Sequence, residues 1–206
     1  MSATRDECRE SAANRSTRRG ALGTAALGAF AAAPVLGRLL RPGDALASPS
    51  KAQDARILQL VLQVEYTQVA FYEQALQKAS LQGELLKFAQ TALAHERAHL
   101  AAIKQALGGS AGPSPHFAFG AAVRDPEQFK RAAIKLEDIA IAGYNGQATN
   151  LTPATLAAAA TIVSVEARHA SWVRTLAGEV AAPEAVDKPI TAAQVASGLH
   201  EIGMKA

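Results

Sequence analysis

Glu65 and Tyr72 recur 72 residues further on as Glu137 and Tyr144, and Glu96 and His99 recur 70 residues further on as Glu166 and His169. Thr91 and Gly108 fall in the same way on Thr161 and Gly178. The chain therefore reads as two related halves, each supplying one Glu and then a Glu-x-x-His. Residues three apart on an α-helix point to nearly the same face, so a carboxylate and an imidazole at this spacing can grip one metal ion or line one cavity. A single such pair arises often by accident on a solvated face. A second copy, with an isolated Glu on the helix before each, is what constrains the fold.

The 206 residues, 49% of them hydrophobic, suffice for a buried core. Alanine dominates, β-branched runs are scarce, and strong helix formers follow Gln53, so the expected class is all-α. Four helices are legible from apolar periodicity and end signals. The first runs from Gln53 to about Ala79, with Leu58, Val61, Leu62, Val69, Tyr72 and Leu76 on one stripe and Glu65 in its middle. The second, Glu84 to Leu107, ends at Gly108-Gly109. The third starts at Asp125-Pro126 and runs to about Ala148, aligning Ile134, Glu137, Ala140, Ile141 and Tyr144. The fourth opens at Thr152-Pro153 and ends at Gly178, with Leu156, Ala159, Ile162, Val163, Glu166, His169, Ala170 and Val173 on its inner stripe.

The turn at 80–83 is short enough to make the first two helices antiparallel, and the segment 108–124 is long enough to cross a bundle lengthwise. The expected architecture is an antiparallel four-helix bundle, residues 48–180, with a long crossover between helices 2 and 3 and two pseudo-symmetric helix pairs. The tail, 181–206, carries Pro183 and Pro189 and one short helix, Thr191 to Ile202.

Residues 1–47 read as a targeting segment. Arg5, Arg9, Arg15, Arg18 and Arg19 precede an apolar run, Gly20 to Gly37, and Ala45-Leu46-Ala47 gives an A-x-A cleavage pattern before Ser48. The stretch Ser16-Thr17-Arg18-Arg19-Gly20-Ala21-Leu22 resembles a twin-arginine export signal, which implies export of a folded, cofactor-loaded protein to a periplasmic or extracellular location. The alternative is an uncleaved N-terminal anchor. The apolar run is rich in Ala and Gly, so no stable membrane insertion is expected after cleavage.

The formal charge of +3 is concentrated in that leader: from Ser48 onward there are 14 Lys+Arg and 14 Asp+Glu. With no basic face left to neutralise phosphates, nucleic acid is excluded as a partner. The single cysteine, Cys8, also lies in the leader, so the remainder has neither a disulfide nor a thiolate metal site.

Face to face about a pseudo-twofold, the halves would bring four carboxylates and two imidazoles to the centre of one bundle. Four buried carboxylates repel one another unless positive charge lies between them, and two divalent cations supply it. Hard carboxylate oxygens with borderline imidazole nitrogens suit Fe or Mn rather than a structural zinc site. This pattern, one Glu from each of two helices plus Glu-x-x-His from each of the other two, resembles the ferritin-like superfamily of dinuclear carboxylate proteins over about Gln53 to Gly178. More narrowly, it resembles the secreted ferritin-like group that includes the plant desiccation-related proteins.

The resemblance implies six metal ligands, Glu65, Glu96, His99, Glu137, Glu166 and His169, with Glu96 and Glu166 bridging two Fe ions, or alternatively two Mn ions. Tyr72 and Tyr144, each two turns after its Glu, need a partner for a buried hydroxyl, and a ligand carboxylate is the expected acceptor. Packing alone is the alternative for both. Trp172 reads as packing, and His95, His116 and His200, without counterparts in the other half, read as ordinary surface or loop histidines.

Two classes of function follow. One is an oxidoreductase whose dinuclear site reacts with O2 or H2O2 in ferroxidase, peroxidase or catalase-like chemistry, as in oxidative or desiccation stress. No Met lies in the bundle to ligate haem as in bacterioferritin, and no mature Cys supports a rubredoxin-like module as in rubrerythrin. The other is a non-catalytic metal-binding, iron-sequestering or structural stress protein. Nothing reports a cage interface, and association as a homo-oligomer stays open.

Overall fold

The computed structural model describes residues 48–205; the expected export signal lies outside them. Five helices form: α1 (Lys51–Lys78), α2 (Gly83–Leu107), α3 (Pro126–Gln147), α4 (Pro153–Leu176) and α5 (Ala192–Ile202). Their starts follow from local chemistry. Ser50 accepts from the Gln53 N–H, and Asp125 accepts from the Gln128 N–H ahead of Pro126. Thr191 and Gln194 form a reciprocal capping box on α5.

Thr152, at the start of α4, makes no capping bond of its own. Asp54 from the first turn of α1 reaches across instead, accepting from the Thr152 N–H at 2.9 Å and from the hydroxyls of Thr152 and Thr155 at 2.6 and 2.7 Å. A side chain on one helix thus satisfies donors that the neighbouring helix leaves open.

Cross-helix contacts fix the directions. On α1 and α2, Gln59 bonds the Ser110 carbonyl beyond the α2 end, whereas Glu73 pairs with Arg97 further back, so the two helices are antiparallel. On α3 and α4, Lys130 faces the Leu176 carbonyl and Asp138 holds Arg174 through both carboxylate oxygens. Tyr72 meets Glu137 and Tyr144 meets Glu65, which sets α1 antiparallel to α3. Helices α2 and α3 therefore run the same way, and the crossover between them spans the length of the bundle, as expected for this architecture.

The crossover carries a two-residue strand, β1 (His116–Phe117), paired antiparallel with β2 (Met204–Lys205) at the C-terminus in the register His116↔Lys205 and Phe117↔Met204. The tail is thereby part of the packed body. Val195, Leu199 and Ile202 of α5 join the core over α3. Close approach requires glycine there: a Cβ on Gly146 would stand 1.9 Å from the Ile190 carbonyl oxygen, and one on Gly143 would stand 2.9 Å from a Val195 methyl.

Two apolar clusters occupy the bundle. One is aromatic, built on Phe71, Tyr72, Phe88, Phe119 and Phe129. The other is aliphatic, built on Ile57, Val61, Leu62, Ile103, Leu107 and Ile162 with Tyr66 and Tyr144. Leu156 departs from the expected inner stripe and is 39% exposed. Ala154, Ala157 and Ala158 beside it are exposed too, because among the described residues no element packs over that side of the first turns of α4.

Candidate metal centre

Between the two apolar clusters lies a polar layer. Glu65 from α1, Glu96 from α2, Glu137 from α3 and Glu166 from α4 have no exposed surface, and His99 and His169 are buried beside them. The contacts are reciprocal between the halves. His99 Nδ1 lies 2.9 Å from Glu166 Oε1, and His169 Nδ1 lies 3.0 Å from Glu96 Oε1. Tyr144 donates to Glu65 Oε1 at 2.6 Å and Tyr72 donates to Glu137 Oε1. Each half's tyrosine thus anchors the other half's isolated carboxylate, the acceptor class expected from sequence.

Two sets of converging atoms can each hold a metal ion: Glu65, Glu96, His99 and Glu166, and Glu96, Glu137, Glu166 and His169, with all ligand atoms of a set within 4.8 Å of one another. Glu96 and Glu166 belong to both sets, the placement a bridging carboxylate needs. Glu65 groups with His99, and Glu137 with His169.

The residues fit such ions on a further count. Glu65 Oε2, Glu96 Oε1, Glu166 Oε1 and His169 Nδ1 are buried with no hydrogen-bond partner. Several lie close to one another, yet none has the angles of a hydrogen bond; their lone pairs converge. Polar atoms left in this condition cost several kcal/mol in total unless a cation or proton serves them. The all-oxygen-and-nitrogen donor set is that of a hard to borderline divalent ion.

The electrostatics describe how the groups balance among themselves. Burial first, then the charges of Glu166 and Glu96, push the Glu65 carboxyl well above the carboxylate range. Burial likewise raises Glu137, and the nearby Glu166 and Glu96 charges add to it against the contact with His169. Burial alone would also raise Glu166, but contacts from His169 and His99 outweigh it and hold that carboxyl low. Burial opposes the charged form of both imidazoles, yet their carboxylate contacts prevail and push His99 up to about 10 and His169 up to about 12. Burial, then the adjacent carboxylates, raise both tyrosine hydroxyls, which keeps them donors. Protons held in this pattern occupy the places a cation would take.

Two neighbours escaped the sequence reading. Gln68, fully buried on α1, donates its amide to Glu166 Oε2 at 2.9 Å and to Glu137 Oε2 at 3.1 Å. It sits one turn from Glu65 and from Tyr72, so a polar side chain on the buried stripe was its signal. His95 is exposed as expected, but it is not an ordinary surface histidine, because its Nδ1 lies 2.9 Å from His169 Nε2. Burial and the neighbouring His169 and His99 depress its pKa. His116 and His200 stay at the surface, and Trp172 packs edge-on against Phe88 with ring centroids 5.5 Å apart.

An apolar cavity of about 270 Å³ adjoins the layer. Val61, Ile103 and Ile162 line it one helical turn from Glu65, His99 and Glu166, and Tyr144 forms part of its wall.

A comparison with curated proteins finds no match. The family model described as ferritin-like domain matches residues 53–179, a span that holds all six buried Glu and His residues and, but for the first two residues of α1, the four bundle helices. With well over half of the sequence inside that match, the chain belongs to the ferritin-like domain family.

Proposed function

We propose that the protein is an exported ferritin-like oxidoreductase with a dinuclear Fe site, or alternatively a dinuclear Mn site, acting on O2 or H2O2. The observation that carries this reading is the convergence of six buried Glu and His side chains, four of which present an atom with no hydrogen-bond partner. In it, Glu65 and His99 would hold one ion, Glu137 and His169 would hold the other, and Glu96 and Glu166, which belong to both sets, would be shared. Two such ions, held by these six residues, would supply the one-electron redox chemistry that reduction of O2 or H2O2 requires.

The chain's own residues do the rest. Tyr72 and Tyr144 hold the carboxylates of Glu137 and Glu65 by hydrogen bonds donated to one oxygen of each, which fixes how each carboxylate is turned. Gln68 holds Glu137 and Glu166 in the same way. The aromatic cluster and the aliphatic wall exclude bulk water from both sides of the layer. The apolar cavity supports a small, uncharged oxidant, since Val61, Ile103, Ile162 and Tyr144 are among its lining and no charged side chain is.

Metal analysis of the protein after native export, with Fe(II)-oxidation and peroxide-consumption assays, tests the reading. Two ions per chain with turnover of either oxidant agrees with it. Two ions with turnover of neither would instead make this a metal-binding or iron-sequestering stress protein. For the export proposal, N-terminal sequencing should begin at Ser48; an intact Met1 would refute cleavage.

A further inference from the structure

The pseudo-twofold that relates the two halves is broken by two polar side chains next to the site, and both act on the same side of it. Gln68 matches Ala140, and His95 matches Val165. Gln68 bonds Glu137 and Glu166, and His95 bonds His169. Neither Ala140 nor Val165 has a side-chain atom able to repeat these bonds around Glu65 and His99. The tyrosine pairs and the crossed imidazole–carboxylate contacts, by contrast, are reciprocal.

The His95 contact has a defined direction. His169 Nδ1 faces the carboxylates, 3.0 Å from Glu96 Oε1, so the proton of that ring available to His95 is on Nε2. His95 Nδ1 then accepts it at 2.9 Å, and the ring planes are only 13° apart, so an in-plane N–H can meet an in-plane lone pair. An imidazole that donates its outer N–H is held in one tautomer and one orientation and becomes a stronger donor through its other nitrogen. The Phe88 edge against His169 restricts the ring further.

From this we infer that the two ion positions are unequal by construction, and that His95 is a positioning residue which makes the Glu137–His169 position the tighter of the two. The inference rests on the dinuclear reading above. His95 acts through His169 and touches none of the carboxylates. Gln68 contributes on the same side by fixing two of that position's carboxylates.

The test is a titration of the exported, chelator-treated protein with Mn(II), followed by calorimetry and by the EPR signal of free Mn(II). Wild type should show two binding events that differ in affinity. His95→Phe should weaken the tighter event about 10- to 100-fold and leave the weaker one in place. His95→Asn, whose side-chain oxygen can take the position of the imidazole Nδ1, should restore most of that affinity. Val165→His, which offers His99 a matching partner, should tighten the weaker event and narrow the gap.

Equal affinities in wild type would overturn the inference, as would a His95→Phe variant that weakens both events alike or neither. Failure of His95→Asn to recover would also count against it, since a merely structural role for the ring would then suffice. Fewer than two Mn(II) per wild-type chain would refute the dinuclear reading itself. Two Mn(II) per chain with His95→Phe indistinguishable from wild type would refute only this inference.

Discussion

At the scale of single residues, the tyrosines and Asp54 carry distinct consequences. Tyr72→Phe and Tyr144→Phe each remove one donated hydrogen bond and leave Glu137 or Glu65 free to rotate. Each should weaken ion binding about tenfold or more, measured by metal titration, while leaving the helical content intact. Asp54 concerns stability instead. Asp54→Ala leaves the Thr152 N–H and two hydroxyls without their acceptor and should cost about 1–2 kcal/mol in denaturant unfolding at pH 7. Burial alone would raise the Asp54 pKa, but the bonds from Thr152 and Thr155 outweigh it, so it lies below its ordinary value of 3.8. A lowered folded pKa means the contribution is fully present above that value and is lost as pH falls through the folded pKa. The difference between wild type and Asp54→Ala should therefore shrink in acid; a difference that grows there would contradict the assignment.

The same scale explains what the sequence concealed. Glu65, Glu96, Glu137, Glu166, His99 and His169 were legible because each has a counterpart at a fixed offset, and Tyr72 and Tyr144 for the same reason. Gln68 and His95 fell out because their counterparts are Ala140 and Val165. A search for repetition retains symmetric residues and discards those that break the symmetry, which here are the ones that distinguish the two sides.

Among the elements, helix ends were legible to within a residue or two where chemistry marks them, as at Asp125-Pro126, Thr152-Pro153 and Gly108. Burial along α4 was not. Periodicity put Leu156 on the inner stripe, but a stripe is buried only as far as neighbouring elements extend over it. The tail was opaque for a related reason: its docking depends on glycines of α3, which carry no pattern in the sequence. Gly146→Ala places a Cβ against the Ile190 carbonyl and should displace the tail. The expected reading is faster amide exchange over 190–205 with the four bundle helices little changed. Uniformly slow exchange would show that α5 docks without that close approach.

For the molecule as a whole, four buried carboxylates divide an otherwise apolar core, so ions that bind the folded chain and not the unfolded one should stabilise it. Chelation should lower the melting temperature, and re-addition of Mn(II) or Fe(II) should restore it. At a free ion concentration of about 100 times Kd, each ion contributes roughly 2.7 kcal/mol. A melting temperature insensitive to chelator and metal would mean that the carboxylates are balanced by protons alone.

The central claim is that one chain holds two ions in the layer formed by Glu65, Glu96, His99, Glu137, Glu166 and His169. The most direct test is the number of metal ions per chain, by elemental analysis, in natively exported wild type and in Glu96→Ala/Glu166→Ala. Two ions per wild-type chain, and none retained once both shared carboxylates are gone, is the expected result. Fewer than one ion per wild-type chain, or two ions surviving the double substitution, would contradict it.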